Sequence, residues 1–116
     1  MIKGIGIDII EIKRIQQAVK VHGSKFLKKL FTEHELAYCN KKGKFRFPEL
    51  AARFAAKEAY TKALGTGMSG IHFKKIEVRN DKKGKPFLAV NGKVLRKVFL
   101  TLSHSHEFAV AMVVKE

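Results

Sequence analysis

Two opposite charges one helical turn apart, followed by a glycine pair, are the part of this chain best suited to phosphate chemistry. Glu58 and Lys62 are four residues apart, so on a helix they share one face. Gly65-Thr66-Gly67 follows, and glycine leaves backbone N–H groups accessible because it has no Cβ. A carboxylate, an ammonium and open amides suit a metal-bound phosphate ester. The simpler interpretation is a surface ion pair followed by a glycine C-cap.

A second carboxylate lies near the start of the chain. The strand predicted over Ile2–Ile10 alternates, so Asp8 shares a face with Gly4 and Gly6 while the isoleucines take the other face. Glycine weakens a strand unless another element packs close to it. We therefore expect Asp8 to be held rigidly beside a closely packed element. The alternative is that Asp8 merely ends the strand before a helix.

Helical periodicity and capping patterns follow this strand. Gly23 ends the first predicted helix, Ser24 is expected to cap the second, and Thr32–Glu35 matches a capping box that opens the third. Pro48 opens a central helix whose many alanines allow close packing and a rigid support for Glu58. The predicted helices cover residues 11–22, 25–30, 33–39 and 48–64, and residues 40–47 are predicted as a basic loop.

Period-two patterns dominate after the glycine loop. Strands are predicted over 73–79, 86–90 and 107–114, with a tight turn at Asn91-Gly92. Residues 94–102 fit either a strand or an initial helical turn. One strand, a helical block and a run of strands predict an α+β fold with an antiparallel sheet packed on the central helix. At 116 residues, a single domain over 1–116 is expected.

The formal charge of +14 predicts a polyanionic partner. Charge alone favours a basic nucleic-acid-binding module, but no helix-turn-helix, zinc-finger or RNP-like pattern accompanies it. No apolar run approaches the roughly 18 residues of a membrane helix. We therefore expect neither a nucleic-acid nor a membrane partner. Cys39, the single cysteine, excludes an intrachain disulfide and fits a cytoplasmic location.

Five motifs in order resemble the short bacterial branch of the 4′-phosphopantetheinyl transferase family. Gly4-Ile-Gly-Ile-Asp-Ile-Ile-Glu11 is similar to its G-x-D-x-x-E opening, and Arg53-Phe-Ala-Ala-Lys-Glu-Ala-Tyr-Thr-Lys62 to its central signature. Gly65-Thr-Gly67, Gly84-Lys-Pro86 and Leu102-Ser-His104 follow at the family's spacing. The resemblance spans essentially the whole chain. The segment 91–101 is shorter than in many members and lacks room for a full helix.

The resemblance implies a reaction and its site. Phosphopantetheine passes from coenzyme A to a serine of an apo acyl carrier protein for fatty acid biosynthesis, with Mg²⁺, releasing adenosine 3′,5′-bisphosphate. Asp8 and Glu58 would bind the metal, Glu58 would serve as base directly or through bound water, and Lys62 would hold the diphosphate. The expected coenzyme A contacts are Lys62, Gly65, Thr66, Gly67, Pro86, His104 and Arg53, with Arg46 and Lys44 as further candidates.

The family also implies two protein partners. One is an acidic acyl carrier protein, docking on the basic first helix through Lys13, Arg14, Lys20 and Lys25. The other is the chain itself, in a homotrimer whose active sites lie between protomers. Two further hypotheses come from the residues alone: His104 and His106 as metal ligands on one strand face, and Cys39 as a nucleophile.

Overall fold

The structure is a computed structural model that describes residues 1–66 and 72–116. One strand, three consecutive helices, a short hairpin and a long helix make up its first half and strands dominate its second half, so the predicted α+β class is confirmed. The elements are β1 Gly4–Glu11, α1 Ile12–His22, α2 Ser24–Leu30, α3 Glu33–Cys39, β2 Asn40–Lys41, β3 Lys44–Phe45, α4 Phe47–Leu64, a 3₁₀ turn Phe73–Lys75, β4 Ile76–Asn80, β5 Pro86–Val90, β6 Lys93–Val94, β7 Val98–His104 and β8 Phe108–Lys115.

The strands form antiparallel sheets rather than the one sheet expected. In the first sheet the order is β1-β8-β7, in the second it is β4-β5-β6, and β2 and β3 form a separate hairpin. Helix α4 packs on the inner face of the first sheet, where Ala109, Ala111 and Val113 of β8 are fully buried. Asp8 pairs with Ala111 across this sheet, which places its side chain on the inner face beside α4.

The glycines of β1 allow this contact with α4. A Cβ on Gly4 would lie 2.0 Å from the carbonyl oxygen of Ala63, and one on Gly6 would lie 1.9 Å from that of Ala59. Both separations are far below van der Waals contact, so only glycine fits at these positions. The close packing predicted from the glycine face and the alanine-rich helix is confirmed.

The outer face of the same sheet is apolar and open. Ile5, Ile7 and Ile9 are 63%, 60% and 62% exposed. Across the strands, Ile5 is aligned with Val114 and Phe99, and Ile7 with Met112, so the apolar surface spans all three strands. Such a surface on one chain marks an interaction face rather than a solvated one.

Several sequence-based boundaries are wrong. Ser24 is the first residue of α2 and makes no side-chain cap; Gly23 occupies the N-cap with φ +59°. The predicted loop over 40–47 contains the hairpin β2-β3, whose turn at Lys42 and Gly43 takes positive φ. Residues 73–75 form a 3₁₀ turn, so β4 starts at Ile76. The cap, the hairpin and the 3₁₀ turn depend on local hydrogen bonds, which the spacing of apolar residues does not predict.

The shortened segment contains parts of two strands. Asn91 and Gly92 have φ values of 52° and 80°, and this tight turn joins β5 to β6 as predicted. A turn over residues 95–97 then leads into β7. Neither of the two options left open for residues 94–102 describes the whole segment.

None of the helices in the described part of the chain is long and apolar enough to cross a membrane.

Substituting Gly6 tests the contact between β1 and α4. We expect Gly6→Ala to lower the free energy of unfolding by at least about 3 kcal/mol, because the new methyl meets backbone that cannot rotate away. Gly43→Ala is the control: its Cβ meets nothing within 4 Å, so only positive-φ strain of about 1–2 kcal/mol applies. Urea denaturation of both variants measures the difference, and equal losses would contradict the packing role.

Candidate active site

Asp8, Glu58 and Lys62 come together where β1 crosses α4. Lys62 Nζ donates to the carbonyl oxygen of Ile7 at 2.9 Å and lies 3.3 Å from Asp8 Oδ1. Asp8 and Glu58 line the same cavity of about 320 Å³. The ammonium is 52% exposed, whereas the Asp8 side chain is mostly covered. Two carboxylates from distant parts of the chain therefore face a common cavity, and Lys62 pairs with one of them, Asp8.

The surroundings of Glu58 raise the pKa of its carboxyl group. Partial burial raises its pKa above the ordinary value, the nearby Asp8 carboxylate raises the pKa further, and Lys62 partly lowers it. A carboxylate with a raised pKa is a better proton acceptor than an ordinary glutamate, and two adjacent anions favour a bound cation.

The pair of acids suits Mg²⁺ rather than a softer metal. Mg²⁺ binds through one or two carboxylates and completes its octahedron with waters and substrate phosphate oxygens. Within residues 1–66 and 72–116, no cluster of three or more His, Cys, Asp or Glu residues offers a closed metal site. Asp8 and Glu58 thus provide an open, all-oxygen set that leaves room for a phosphate ligand.

One wall of this cavity is apolar and lies against the first helix. Ile15 and Ala18 of α1 and Phe26 of α2 line it together with Phe54 of α4, and Arg14 stands among them. Phe54 was not among the residues predicted for this site. Its position four residues before Glu58 was the available clue, because residues at this spacing share a helix face.

The glycine segment is only partly described. Gly65 takes a left-handed conformation with φ 77° and its N–H donates to the Lys62 carbonyl at 3.0 Å. This amide therefore caps α4, and the expectation of an open N–H at Gly65 is wrong. Thr66 is exposed, and Gly67 lies outside the described residues.

The remaining predicted ligand contacts form a second cluster around Arg53. Its Nη2 donates to Asn80 Oδ1 at 2.7 Å, and Asn80 Nδ2 in turn donates to the Gly84 carbonyl at 3.0 Å, near Pro86. Arg53 Nη1 donates to Glu49 Oε2 at 3.1 Å, and Glu49 Oε1 lies 3.7 Å from His104 Nε2. The structure thus links Arg53, His104 and the turn that precedes Pro86.

Arg53 is nearly inaccessible in this cluster. It is 1% exposed, and its guanidinium lies 4.3 Å from the ring centroid of Tyr38. Arg46 lies over the same ring and donates to the Tyr38 carbonyl. Glu49 and Glu58 are nine residues apart on α4, about 13 Å along its axis. The predicted contacts therefore fall into two groups at different turns of one helix.

A buried ion pair next to the active-site acid was not predicted. Lys57 Nζ donates to Glu35 Oε1 at 2.6 Å and to the carbonyls of Leu30 and Phe73 at 2.6 and 3.0 Å, and both charged side chains are fully buried. Burial lowers the pKa of Lys57, while Glu35 opposes this shift. Glu35 also accepts from the N–H groups of Thr32 and Val78, so its capping box is confirmed.

The structure supports neither Cys39 as a nucleophile nor His104 and His106 as metal ligands. Burial raises the pKa of the Cys39 thiol to about 11, which keeps it protonated at neutral pH and unsuited to nucleophilic attack. His104 ends β7 and approaches Glu49, whereas His106 lies in the turn before β8. These two histidines form no metal cluster with other described residues.

Comparison with known proteins gives the same assignment throughout. The model of the 4′-phosphopantetheinyl transferase superfamily matches residues 4–113. A holo-[acyl-carrier-protein] synthase of Halothermothrix orenii is 47% identical over 100% of this chain and 98% of its own length. Among solved structures, the Bacillus anthracis synthase in complex with CoA (3′,5′-ADP) is 47% identical with a TM-score of 0.83, covering 100% of this chain and 97% of its own. The Neisseria meningitidis synthase is 37% identical with a TM-score of 0.87, covering 100% and 99%.

The chain belongs to the 4′-phosphopantetheinyl transferase superfamily, and within it to the holo-[acyl-carrier-protein] synthases. Its activity is phosphopantetheinyl transfer. The match over the full length gives no support to the alternative of a basic nucleic-acid-binding module.

Replacing Lys57 tests how much its buried ion pair with Glu35 contributes to the stability of the fold. We expect Lys57→Met to cost about 3–5 kcal/mol of unfolding free energy, because Glu35 is left buried and unpaired. Adding Glu35→Gln, which keeps an acceptor but removes the charge, should restore at least about 1 kcal/mol. Lys28→Met, at an exposed position on α2, is the control and should change stability by less than about 0.5 kcal/mol. A double variant less stable than Lys57→Met would contradict the charge argument.

Proposed function

We propose that the chain transfers 4′-phosphopantetheine from coenzyme A to a serine of apo acyl carrier protein, with Mg²⁺, and so activates the carrier for fatty acid biosynthesis. The observation that carries the proposal is the pairing of Asp8 and Glu58 beside Lys62 at one cavity. The Bacillus anthracis relative, solved with CoA (3′,5′-ADP), supports coenzyme A as the donor. The family match over residues 4–113 supports one domain.

The transfer is a phosphoryl substitution. The serine oxygen attacks the pantetheine-side phosphorus of the diphosphate, the bond to the nucleotide-side phosphate breaks, and adenosine 3′,5′-bisphosphate leaves. Glu58, whose pKa is raised by burial and by Asp8, accepts the serine proton. Lys62 stabilises the charge that develops on the leaving group. When bound by Asp8 and Glu58, Mg²⁺ would neutralise negative charge on the diphosphate.

Coenzyme A is proposed to span both clusters. Lys62, Gly65, Thr66 and Gly67 would contact the diphosphate and nucleotide, and Pro86 and His104 would contact the adenosine end. Arg53 is proposed for the ribose 3′-phosphate, with Arg46 and Lys44 near it. Because Arg53 is 1% exposed, a phosphate reaches it only after Glu49 has turned away.

The acyl carrier protein is proposed to dock on α1. Lys13, Arg14 and Lys20 of α1 and Lys25 at the start of α2 are all exposed, and they would meet an acidic surface by long-range attraction. Arg14 and Phe26 also line the cavity that contains Glu58, so a docked carrier would place its serine near the base. A basic rim around an apolar wall favours a transient, salt-sensitive complex.

A homotrimer with shared active sites is the proposed assembly. The support is the open apolar face of the first sheet, which holds Ile5, Ile7 and Met112. Lys62 lies at the edge of this face and lines a second cavity, of about 330 Å³, with the same three residues. A partner on this face would therefore come close to the catalytic cluster.

A cytoplasmic location is also proposed, supported by the single unpaired cysteine.

Mass spectrometry of the carrier protein tests the reaction. Incubation of the chain with coenzyme A, Mg²⁺ and apo acyl carrier protein should add the mass of phosphopantetheine to the carrier, and chelation of Mg²⁺ should stop the addition. Asp8→Asn and Glu58→Gln should each lower the rate at least about 100-fold, because each removes a metal ligand charge and one of them the base.

Glu33→Gln, which removes an exposed carboxylate from α3, is the matched control and should leave the rate unchanged. Near-normal transfer by either active-site variant would remove that residue from the site. If the carrier gains no mass while the chain binds DNA at physiological salt, the alternative of a nucleic-acid module would replace this proposal.

The oligomeric face is tested by charge. Ile5→Lys, at a position that is 63% exposed in one chain, should convert trimer to monomer because the ammonium would be buried at the interface. Sedimentation equilibrium measures the mass, and the transfer assay should show a matching loss of activity. Val94→Lys on β6, also exposed, is the control. A fully active monomer would contradict shared sites, and an unchanged trimer would contradict the choice of this face.

A further inference from the structure

Glu49 bridges two of the groups proposed to contact coenzyme A. One carboxylate oxygen accepts from Arg53 Nη1 at 3.1 Å, and the other lies 3.7 Å from His104 Nε2. The bridge joins the first turn of α4 to the end of β7. A single anion with one oxygen directed at Arg53 and the other at His104 is the arrangement that a phosphate monoester would also adopt.

Arg53 is held too firmly to move toward a ligand. Asn80 accepts from its Nη2, Tyr38 covers its face, and its buried Nε has no hydrogen-bond partner. A buried guanidinium requires a nearby anion, because an unpaired charge is costly away from water. Of these neighbours only Glu49, with 26% of its side chain exposed, combines a negative charge with contact to solvent.

A surface cavity of about 380 Å³ lies beside His104, at one end of the bridge. Its lining residues are Pro48, which precedes Glu49, and His104, Ser105 and His106 at the end of β7. A phosphate in this cavity would lie against His104, whose Nε2 is 3.7 Å from the Glu49 carboxylate. Since carboxylate and phosphate repel one another, both cannot lie between Arg53 and His104.

We infer that Glu49 is a positioning residue that sets specificity at the ribose 3′-phosphate of coenzyme A. Its carboxylate takes the place of that phosphate in the free protein, keeps Arg53 and His104 apart at a fixed spacing, and yields when the phosphate binds. The inference rests on the proposed function, in which this cluster binds the adenosine end. The same competition would weaken binding of adenosine 3′,5′-bisphosphate and so assist product release.

The inference is tested by measuring how three ligands bind to the wild type and to the Glu49→Gln variant. The amide keeps an acceptor for Arg53 but loses the negative charge. We expect the KM for coenzyme A and the Kd for adenosine 3′,5′-bisphosphate to fall about threefold to tenfold, the size of one partly screened charge contact. The KM for 3′-dephospho-coenzyme A should stay unchanged, because that ligand does not compete with the carboxylate. Steady-state transfer rates and titration calorimetry provide these constants.

Two variants control the experiment. Glu33→Gln makes the same change in net charge on α3 and should alter none of the three constants. Glu49→Asp keeps the charge and should retain the wild-type ratio between coenzyme A and its dephospho form, even if its melting temperature is lower.

Two outcomes would overturn the inference. If Glu49→Gln weakens all three ligands alike, Glu49 only supports the fold around Arg53; if the ratio between coenzyme A and its dephospho form is unchanged, no competition exists. If the wild type transfers phosphopantetheine but Glu49→Gln leaves the ratio of the two KM values unchanged, the inference is rejected and the proposed function stands. Absence of coenzyme A binding by the wild type would instead overturn the proposed function, and this inference with it.

Discussion

The close contact between β1 and α4 determines where Asp8 lies relative to Glu58 and Lys62 in the candidate active site. Gly4 and Gly6 bring the strand onto the backbone carbonyls of Ala63 and Ala59, with no side chain between the two elements. Asp8 continues the same strand face and therefore reaches the helix surface that carries Glu58 and Lys62. A larger residue in place of either glycine would move the strand outward and separate the acids that must act together.

Helix α4 combines a rigid anchor with an accessible active group in consecutive positions. Lys57 points into the protein, where Glu35 and two backbone carbonyls fully satisfy its ammonium. Glu58, rotated by about 100° around the helix, lines the cavity instead. Because Lys57 also binds the Phe73 carbonyl, which follows the glycine loop in sequence, it ties the helix to the segment that returns from the site. The signature that resembles the family thus joins a structural lysine to an active-site glutamate.

The sequence predicted the elements better than their connections. Alternation in residues 4–10 and the alanine spacing of α4 led to the right packing, because both patterns record which side of an element meets another backbone. The hairpin around Lys42 and Gly43 and the position of Ser24 were missed, since short-range hydrogen bonds outweigh composition there. Among site residues, Asp8, Glu58 and Lys62 were found by charge and spacing.

Glu49, Asn80 and Phe54 were missed for a different reason. Glu49 approaches His104 and Asn80 accepts from Arg53, so each has a partner far away in sequence, and their side chains are of types that are ordinarily solvated. Phe54 resembles any other core aromatic until its neighbours in α1 and α2 are known. Spacing within one element reveals residues on that element's face. It carries no information about which other element will cover that face.

The two groups of proposed ligand contacts and the open apolar face of the first sheet both bear on the proposed homotrimer. The ligand-contacting groups are divided between the Glu58 turn and the Glu49 turn of α4, about 13 Å apart along the axis. The apolar outer face of the first sheet ends beside Lys62. An assembly that covers this face would bury the exposed isoleucines and bring another chain to the catalytic cluster. The open face therefore supports the proposed assembly, in which a partner chain would lie next to Lys62.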